Sequence, residues 1–338
     1  MAPMIPRIED ELQTSNWQIE MAEAVRDPLE LLRLLEIAPE QIPACFDAHR
    51  QFPTRVPLSF VSRIKKGEPN DPLLRQVLPV RNENEMVEDY GTDPVGDAQA
   101  EAQTGLLQKY TGRQLLIATG ACAIHCRYCF RRHYPYGSKS VKNSDWLPIL
   151  SHIRDNSTVH EVILSGGDPL NLSDSKLREF VQALEKIEHV HTLRIHTRTA
   201  VVIPSRVNQP FLDWLGASRL NRVIVFHVNH AQEIDAAVRQ AVARLRQLPL
   251  TLLNQSVLLA GVNDKAEVLE DLSQQLFSMG ILPYYLHLLD KVRGAHHFNV
   301  PENRALELIQ QLRSRLPGYL VPRLVREDQG ATAKTLIR

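Results

Sequence analysis

The sequence has no excess of either charge and no apolar run long enough to cross a membrane. Its 338 residues include 39 Lys and Arg against 39 Asp and Glu, so the overall charge favours neither nucleic acid nor anionic lipid as a partner. No apolar stretch approaches the roughly 20 residues that span a bilayer, and the N-terminal segment lacks the apolar core of a signal peptide. We therefore expect a soluble, cytoplasmic protein with a small-molecule partner.

Cysteine is also scarce, because the whole chain contains only four. Three of them form the pattern Cys122-x3-Cys126-x2-Cys129, whereas Cys45 lies far upstream and is predicted to be a buried thiol. This distribution excludes a disulfide framework. Thiolates favour iron–sulfur clusters or zinc, and three ligands leave one metal position open for a reacting molecule. A closed zinc site completed by a nearby histidine or by Cys45 is the alternative.

Downstream of Arg113, short apolar runs alternate with patterns of helical spacing. This alternation predicts parallel β/α units wound with one hand, and six units make an incomplete barrel. Ligands in such folds bind at the C-terminal ends of the strands, and the cysteine loop directly follows the first predicted strand. The predicted strands are residues 114–119, 161–165, 192–197, 222–228, 250–259 and 283–289.

The remainder of the chain is predicted to flank this barrel. Residues 1–105 form a proline-rich helical and irregular extension, residues 106–300 the barrel, and residues 301–338 a C-terminal helix and segment. Asp27-Pro28 before a leucine-rich run predicts the start of a helix. Residues 89–105 are acidic and glycine-containing, which predicts a loop, and no chemistry is assigned to them.

Polar residues that follow the predicted strands are candidates for the pocket. The pair Gly166-Gly167 allows a ligand to approach the backbone closely, although a tight turn explains it about as well. Arg194, Arg198 and Arg206 are equally compatible with ligand binding and with structural ion pairs. The candidates after the fourth and fifth strands, which the sequence does not rank, are His227, Asn229, His230, Asn254 and Gln255.

The cysteine loop, with an aromatic residue just before its last cysteine, resembles the signature of the radical S-adenosylmethionine (SAM) superfamily. The run Cys126-Arg-Tyr-Cys-Phe-Arg-Arg132 is similar, more narrowly, to the lysine 2,3-aminomutase family, and the wider resemblance runs from about residue 60 to the C-terminus. It implies a partial (β/α)6 barrel with a C-terminal segment that binds pyridoxal 5′-phosphate (PLP). It also implies an isomerase that moves the amino group of L-lysine from C2 to C3 and gives β-lysine.

The resemblance further implies three cofactors and their ligands. Cys122, Cys126 and Cys129 would hold a [4Fe-4S] cluster, to which an external donor supplies electrons. Lys334, which follows the frame Gly318-Tyr-x-Val-Pro, would bind PLP covalently and act as the catalytic lysine. The other residues implied to bind PLP are Lys109, Tyr110 and Arg113. Those implied to bind SAM are Ser165, Gly166, Gly167, Asp168 and Arg198.

The substrate contacts follow from the same resemblance. Arg131 would pair with the α-carboxylate of lysine, and Asp290 with its distal ammonium group. Glu327 stands where the family has a second aspartate for that ammonium. The family's run of glycines before the lysine is reduced here to Gly330, and no cysteine follows Cys129 to bind the zinc of clostridial relatives, so oligomer contacts that depend on it are left open.

The short C-terminus and the absent zinc cysteines resemble a proteobacterial branch of the family whose β-lysine serves a ligase that modifies translation elongation factor P. Two other functions stay open. An aminomutase for another amino acid such as glutamate would share the cysteine loop, although Asp290 and Glu327 argue against an anionic substrate. A non-enzymatic zinc or Fe–S module would use only the three cysteines, and the neutral charge balance argues against a nucleic-acid surface.

Overall fold

Strands lie side by side in chain order across one ten-stranded sheet, in a computed structural model that describes residues 16–42, 46–139 and 146–338. Cys45, predicted to be a buried thiol, lies outside the described residues. The strands are β1 (Glu101–Gln103), β2 (Leu106–Leu107), β3 (Arg113–Thr119), β4 (Glu161–Gly166), β5 (Thr192–Thr197), β6 (Asn221–Phe226), β7 (Thr251–Val257), β8 (Leu282–His287), β9 (Arg323–Arg326) and β10 (Thr335–Leu336).

The strands from β3 to β9 run parallel to their neighbours and form the centre of the sheet. The six predicted strands are β3 to β8, with ends that differ by at most two residues. Their buried aliphatic side chains stand in rows, because Leu116 pairs with Leu164, which in turn pairs with Ile195. The predicted α/β class with a mostly parallel sheet is therefore confirmed.

Short antiparallel strands at both edges of the sheet were not predicted. β1 pairs with β2 and β2 with β3 at one edge, while β10 pairs with β9 at the other. The prediction that residues 89–105 form only a loop is therefore wrong, since the segment contains β1. These edge strands have only two to four residues each, which is too short to show a period-two pattern.

Helices cover the sheet, and their apolar faces build its core. In α8, for example, Leu177, Phe180, Val181 and Leu184 are buried at helical spacing. No helix in the described ranges combines the length and the apolar character that crossing a bilayer requires. The helices are α1 (Asn16–Ala22), α2 (Pro28–Leu34), α3 (Phe46–Gln51), α4 (Leu58–Val61), α5 (Pro72–Arg75), α6 (Tyr136–Lys139), α7 (Trp146–Asp155), α8 (Asp174–Leu184), α9 (Thr199–Val202), α10 (Gln209–Ala217), α11 (Ala236–Leu245), α12 (Ala266–Ser278) and α13 (Glu302–Arg315).

The N-terminal helices pack against the cysteine loop. Leu32, Phe60 and Leu73 share one buried cluster with Ala123 and Ile124, which lie between the first two cysteines of that loop. The predicted helix start at Asp27 is found as well, because the Asp27 side chain accepts a hydrogen bond from the backbone of Leu29 at the start of α2. The extension thus shields the loop from one side, while the proposed division into three segments stays a prediction.

Candidate active site

One cavity of about 510 Å³ collects residues from strands across the sheet. Leu107 of β2, Ile163 of β4 and Tyr285 of β8 all line it, so the sheet curves around the cavity as a partial barrel. This volume is typical of a small-molecule site. The cysteine loop, Lys334 and Asp290 line the same cavity.

The cysteine loop leaves β3 and presents three free thiols to the cavity, as Cys122, Cys126 and Cys129 are not disulfide-bonded. Burial raises the pKa of the Cys122 thiol, and it raises the pKa of the Cys129 thiol to about 11. Three partly buried thiols at one cavity wall are a donor set suited to a cationic centre that would stabilise them as thiolates. Glu83 holds the loop in place by binding both Arg127 and Arg132, each at 2.6 Å.

The alternative of a zinc ion completed by a histidine gains no support from the histidines near the loop. The Nδ1 atom of His125 lies 2.7 Å from the carbonyl oxygen of Pro53, and Nε2 of His133 lies 3.2 Å from that of Arg293. Across the described residues, no three His, Cys, Asp or Glu side chains converge on one ion position. In an iron–sulfur cluster, by contrast, the cysteines bind different iron atoms.

The Gly166-Gly167 pair at the end of β4 packs directly against the start of the cysteine loop. Gly166 has a φ of +108°, and a Cβ atom at Gly167 would lie 2.4 Å from the carbonyl oxygen of Ala121. The backbone nitrogen of Gly167 donates to the carbonyl of Thr119 at 2.7 Å. Close approach of two backbone segments therefore requires these glycines, and both also line the cavity.

Two residues assigned to SAM by resemblance make extensive contacts with the protein itself. The buried carboxylate of Asp168 accepts hydrogen bonds from the backbone nitrogens of Arg198 and Thr199, at 2.7 and 2.8 Å. The Arg198 guanidinium donates to Cys126 Sγ at 2.9 Å and to Glu233 at 3.0 Å. Both residues line the cavity, so their contact with SAM stays a prediction.

Arg206 lies outside the cavity lining, and its buried guanidinium binds the carbonyl of Leu170 and the carboxylate of Asp174. This is the structural role that the sequence left open. Of the five unranked candidates, His230 and Asn254 bind backbone groups outside the lining, at Gln232 and Val228. The three that line the cavity are His227, Asn229 and Gln255.

The residues assigned to PLP meet around one carboxylate. The Tyr110 hydroxyl donates to Glu327 at 2.6 Å, Lys334 forms an ion pair with Glu327, and Lys109 Nζ lies 3.7 Å from it. Although burial acts in the opposite direction, the charge of Lys334 and the hydrogen bonds from Lys334 and Tyr110 hold the pKa of Glu327 below its usual value. Arg113 lies over the Tyr110 ring and also lines the cavity.

Arg131 and Asp290, assigned to the two ends of the substrate, differ in their surroundings. The buried guanidinium of Arg131 is ion-paired with Asp97 at 2.6 Å and lies 3.3 Å from the Ser165 hydroxyl. No described side chain forms a hydrogen bond or ion pair with the carboxylate of Asp290. Burial raises the pKa of Asp290 to about 7, although the charge of Lys334 opposes that shift.

Sequence analysis gave no specific role to three further residues at or beside the cavity. Asp97 belongs to the segment to which no chemistry was assigned; it does not line the cavity, but it is buried in contact with Arg131 and Lys109, which do. His196 and His287 each have a buried Nε2 atom without a hydrogen-bond partner among the described residues. Two such nitrogens at the wall fit a bound molecule that carries polar atoms.

Comparisons with known proteins place these observations among relatives. Residues 116–272 match the model of the radical SAM superfamily. A protein of Escherichia coli (strain K12) named L-lysine 2,3-aminomutase is 46% identical over 321 residues, which is 95% of this chain and 94% of the relative. Proteins with the same name from Haemophilus influenzae and Buchnera aphidicola are 44% and 42% identical, over 99% and 95% of this chain and 98% and 95% of their own.

Proposed function

Because the chain belongs to the L-lysine 2,3-aminomutase family of the radical SAM superfamily, we propose that it converts L-lysine into β-lysine. Membership of this family makes the chain an isomerase and implies a [4Fe-4S] cluster and SAM. The observation that carries the proposal is that one cavity unites the three cysteines, Lys334, a buried arginine and an unpaired carboxylate. This set provides for metal chemistry and for a substrate with charges of opposite sign.

The cluster and SAM fit the side of the cavity formed by the cysteine loop and the Gly166-Gly167 turn. The three thiols are the ligands, and the exposed backbone at the glycine turn can receive the charged amino acid portion of SAM. When bound, the pair supplies radical chemistry that can break an unactivated C–H bond, which no side chain can do. The chain contributes position, because the reacting atoms must be held within a fraction of an ångström.

PLP fits the part of the cavity that Lys334 lines. Lys334 offers an amine for covalent attachment, while Lys109, Tyr110 and Arg113 provide donors for a phosphate group. The unpartnered ring nitrogens of His196 and His287 are available to polar atoms at the same wall. When bound, PLP supplies the unsaturated group through which an amino nitrogen can migrate between neighbouring carbons.

The charged residues of the cavity account for selection of lysine. The planar fork of Arg131 suits the α-carboxylate, whereas the Asp290 carboxylate has no partner among the described residues and suits the distal ammonium group. Glu327 is paired with Lys334, so it is available to the ammonium only when that pairing is released. An anionic substrate such as glutamate would place its second carboxylate against these acidic groups.

We propose, on the resemblance of the C-terminal segment, that the product serves a cytoplasmic ligase that modifies translation elongation factor P. Under this proposal an external reductant supplies the electrons, and the chain acts on free L-lysine. The mass of elongation factor P from cells with and without the gene tests the link. Loss of a mass increment equal to one β-lysyl group supports it, and an unchanged mass contradicts it.

Reconstitution tests the enzymatic proposal directly. Purified protein supplied with iron, sulfide, PLP and SAM under reducing, anaerobic conditions should form β-lysine from L-lysine and none from glutamate. Absence of β-lysine would contradict the proposal. An anaerobic absorption spectrum separates a brown iron–sulfur protein from a colourless zinc module before any turnover is measured.

The Asp290→Asn variant tests the assignment of the ammonium site. Lysine turnover should fall about a hundredfold or more, because the ammonium loses a buried charged partner. The exposed Asp89 provides a matched control, and Asp89→Asn should keep wild-type turnover. If Asp290→Asn left lysine turnover unchanged or improved glutamate turnover, the assignment would be wrong.

A further inference from the structure

The segment of residues 89–105 carries a buried carboxylate, Asp97, which lies beside the cavity and contacts two residues that line it, Arg131 and Lys109. The Asp97 side chain is only 2% exposed. Oδ2 accepts a hydrogen bond from Nε of Arg131 at 2.6 Å, and Oδ1 lies 2.8 Å from Nζ of Lys109. One carboxylate thus contacts two cations: Arg131, which is assigned to the substrate, and Lys109, which is assigned to PLP.

The position of Asp97 is itself fixed by its neighbours. The carboxylate of Asp93 accepts hydrogen bonds from the backbone nitrogens of Asp97 and Ala98, at 2.9 and 3.0 Å. Lys109 is anchored on the same segment, because its ammonium donates to the carbonyl of Val95 at 2.9 Å. The carboxylate therefore acts from a rigid support rather than from a free side chain.

The guanidinium of Arg131 is constrained on several sides at once. Asp97 binds Nε, the Ser165 hydroxyl lies 3.3 Å from Nη1, and the group stacks over the Phe130 ring at 4.6 Å. The Nη2 atom makes no hydrogen bond to any residue in the described ranges. These contacts set the plane of the fork and leave one edge for an incoming anion.

The charges around Asp97 leave the pair of cations with a net positive charge. Although burial opposes it, the charges of Arg131 and Lys109 hold the pKa of Asp97 below its usual value, so the carboxylate is ionised. One negative charge shared by two cations leaves an excess of one positive charge. The arrangement is suited to receive anions in fixed orientations.

We propose that Asp97 is a positioning residue that orients both Arg131 and Lys109, and through them the two anionic groups bound in the cavity. These anions are the α-carboxylate of the substrate at Arg131 and the phosphate of the cofactor at Lys109. The inference rests on the proposed function, which assigns these ligands. It adds a residue that couples the substrate and cofactor sites through one carboxylate.

The test compares Asp97→Asn, which removes the charge, with Asp97→Glu, which keeps the charge but moves it by one methylene. Asp89→Asn, an exposed charge loss in the same part of the chain, is the matched control. With the reconstituted holoenzyme, the KM of L-lysine and the inhibition constant of cadaverine are measured for each variant. Cadaverine is lysine without its α-carboxylate.

Both Asp97 variants should raise the KM of L-lysine about tenfold or more and leave the inhibition constant of cadaverine unchanged. A second comparison applies the same logic to the cofactor. In enzyme stripped of PLP, both variants should weaken binding of PLP, followed by absorbance, but not binding of pyridoxal, which lacks the phosphate. The Asp89→Asn variant should match the wild type in every measurement.

Other outcomes would overturn the inference. If Asp97 only balanced charge, Asp97→Asn would bind both anions more tightly and Asp97→Glu would match the wild type. A purely structural role would weaken cadaverine and pyridoxal as much as their anionic counterparts, together with a lower melting temperature. Wild-type affinities in both variants would also overturn it.

A double-mutant comparison tests whether Asp97 acts through Arg131. Adding Asp97→Asn to Arg131→Ala should cause no further loss of L-lysine affinity, whereas additive losses would contradict action through Arg131. Wild-type enzyme that forms no β-lysine would refute the proposed function before any variant is compared. Wild-type turnover with unaffected variants would refute only the role of Asp97.

Discussion

At the scale of single residues, Asp290, which lines the cavity, and Asp97, which lies beside it, have opposite pKa shifts because their neighbours differ. Asp97 is buried between two cations, and its pKa lies below the usual value despite burial. Asp290 has no paired cation, and burial raises its pKa to about 7. A carboxyl group that is buried without a paired cation is typical of a binding site, where the ligand provides the cation.

The shift at Asp290 predicts a pH-dependent gain of stability in the Asp290→Asn variant. The pKa rises from 3.8 in the unfolded chain to about 7 in the folded protein, so the folded protein keeps a proton that the unfolded chain has released. This carboxyl therefore lowers stability as the pH rises through that window. In protein without cofactors, Asp290→Asn should raise the free energy of unfolding by about 4 kcal/mol at pH 8, since each unit of the rise in pKa from 3.8 to about 7 is worth about 1.4 kcal/mol, and by little at pH 4.

Urea denaturation at the two pH values measures this difference. The Asp89→Asn variant, which removes an exposed carboxylate, serves as the control. An Asp290→Asn variant that is destabilised equally at both pH values would contradict the prediction. It would show that the carboxylate is stabilised by contacts that the asparagine cannot replace.

The sequence predicted the group of cysteines but not the contact between Asp97 and Arg131. Cys122, Cys126 and Cys129 are close in the chain, so their shared site was visible as a pattern. Asp97 and Arg131 are 34 residues apart, and no pattern in the sequence around either residue predicts their contact. Only the folded sheet brings them together.

At the scale of elements, the predictable strands were the buried parallel ones. β3, β4 and β6 contain runs of three or four apolar residues, as strands covered on both faces do, while β5 and β7 alternate buried and more exposed positions. The strands β1, β2, β9 and β10, at or next to the edges of the sheet, have only two to four residues each, so backbone pairing rather than side-chain pattern defines them. Their absence from the prediction follows from this difference.

A substitution in the glycine turn after β4 should lower both the stability of the protein and the amount of iron that it binds. In Gly167→Ala, the new Cβ would lie 2.4 Å from a backbone carbonyl of the cysteine loop, which no rotamer change can relieve. We expect the variant to lose about 1–3 kcal/mol of stability and to retain less iron after reconstitution, because the loop must shift. Denaturant unfolding and iron analysis measure the two effects.

The matched control is Gly318→Ala. No atom lies within 4 Å of the Cβ that this substitution adds, so stability and iron content should remain close to the wild type. If Gly167→Ala bound iron as well as the control, the glycine turn would not determine the position of the cysteine loop.

At the scale of the whole molecule, polar contacts beside the cavity join the two ends of the open sheet. Tyr110 follows β2 near one edge, and Glu327 follows β9 near the other, with 2.6 Å between the hydroxyl and the carboxylate. Lys109 adds a longer ion pair to the same glutamate. Side-chain contacts thus link the two ends of the sheet, which are not joined by backbone hydrogen bonds between the described strands.

Removing the hydrogen bond between Tyr110 and Glu327 should lower the stability of the whole protein as well as disturb the site. Tyr110→Phe keeps the ring and deletes the hydroxyl, so the free energy of unfolding should fall by about 1–3 kcal/mol, as for other hydrogen bonds to charged groups. Tyr319→Phe, at a position that is 60% exposed, should change the free energy of unfolding by about 0.5 kcal/mol at most. Equal stability of Tyr110→Phe and the wild type would mean that the edges need no such link.

The order of the strands along the chain has a consequence for synthesis on the ribosome. Strands that emerge one after another pair with the strand just made, so the parallel sheet and its cysteine loop can form while translation continues. Glu327 and Lys334 emerge later, and only they complete the cluster around Lys109 and Tyr110. A chain interrupted between β9 and Lys334 would therefore hold the cysteine loop without the lysine proposed to bind PLP.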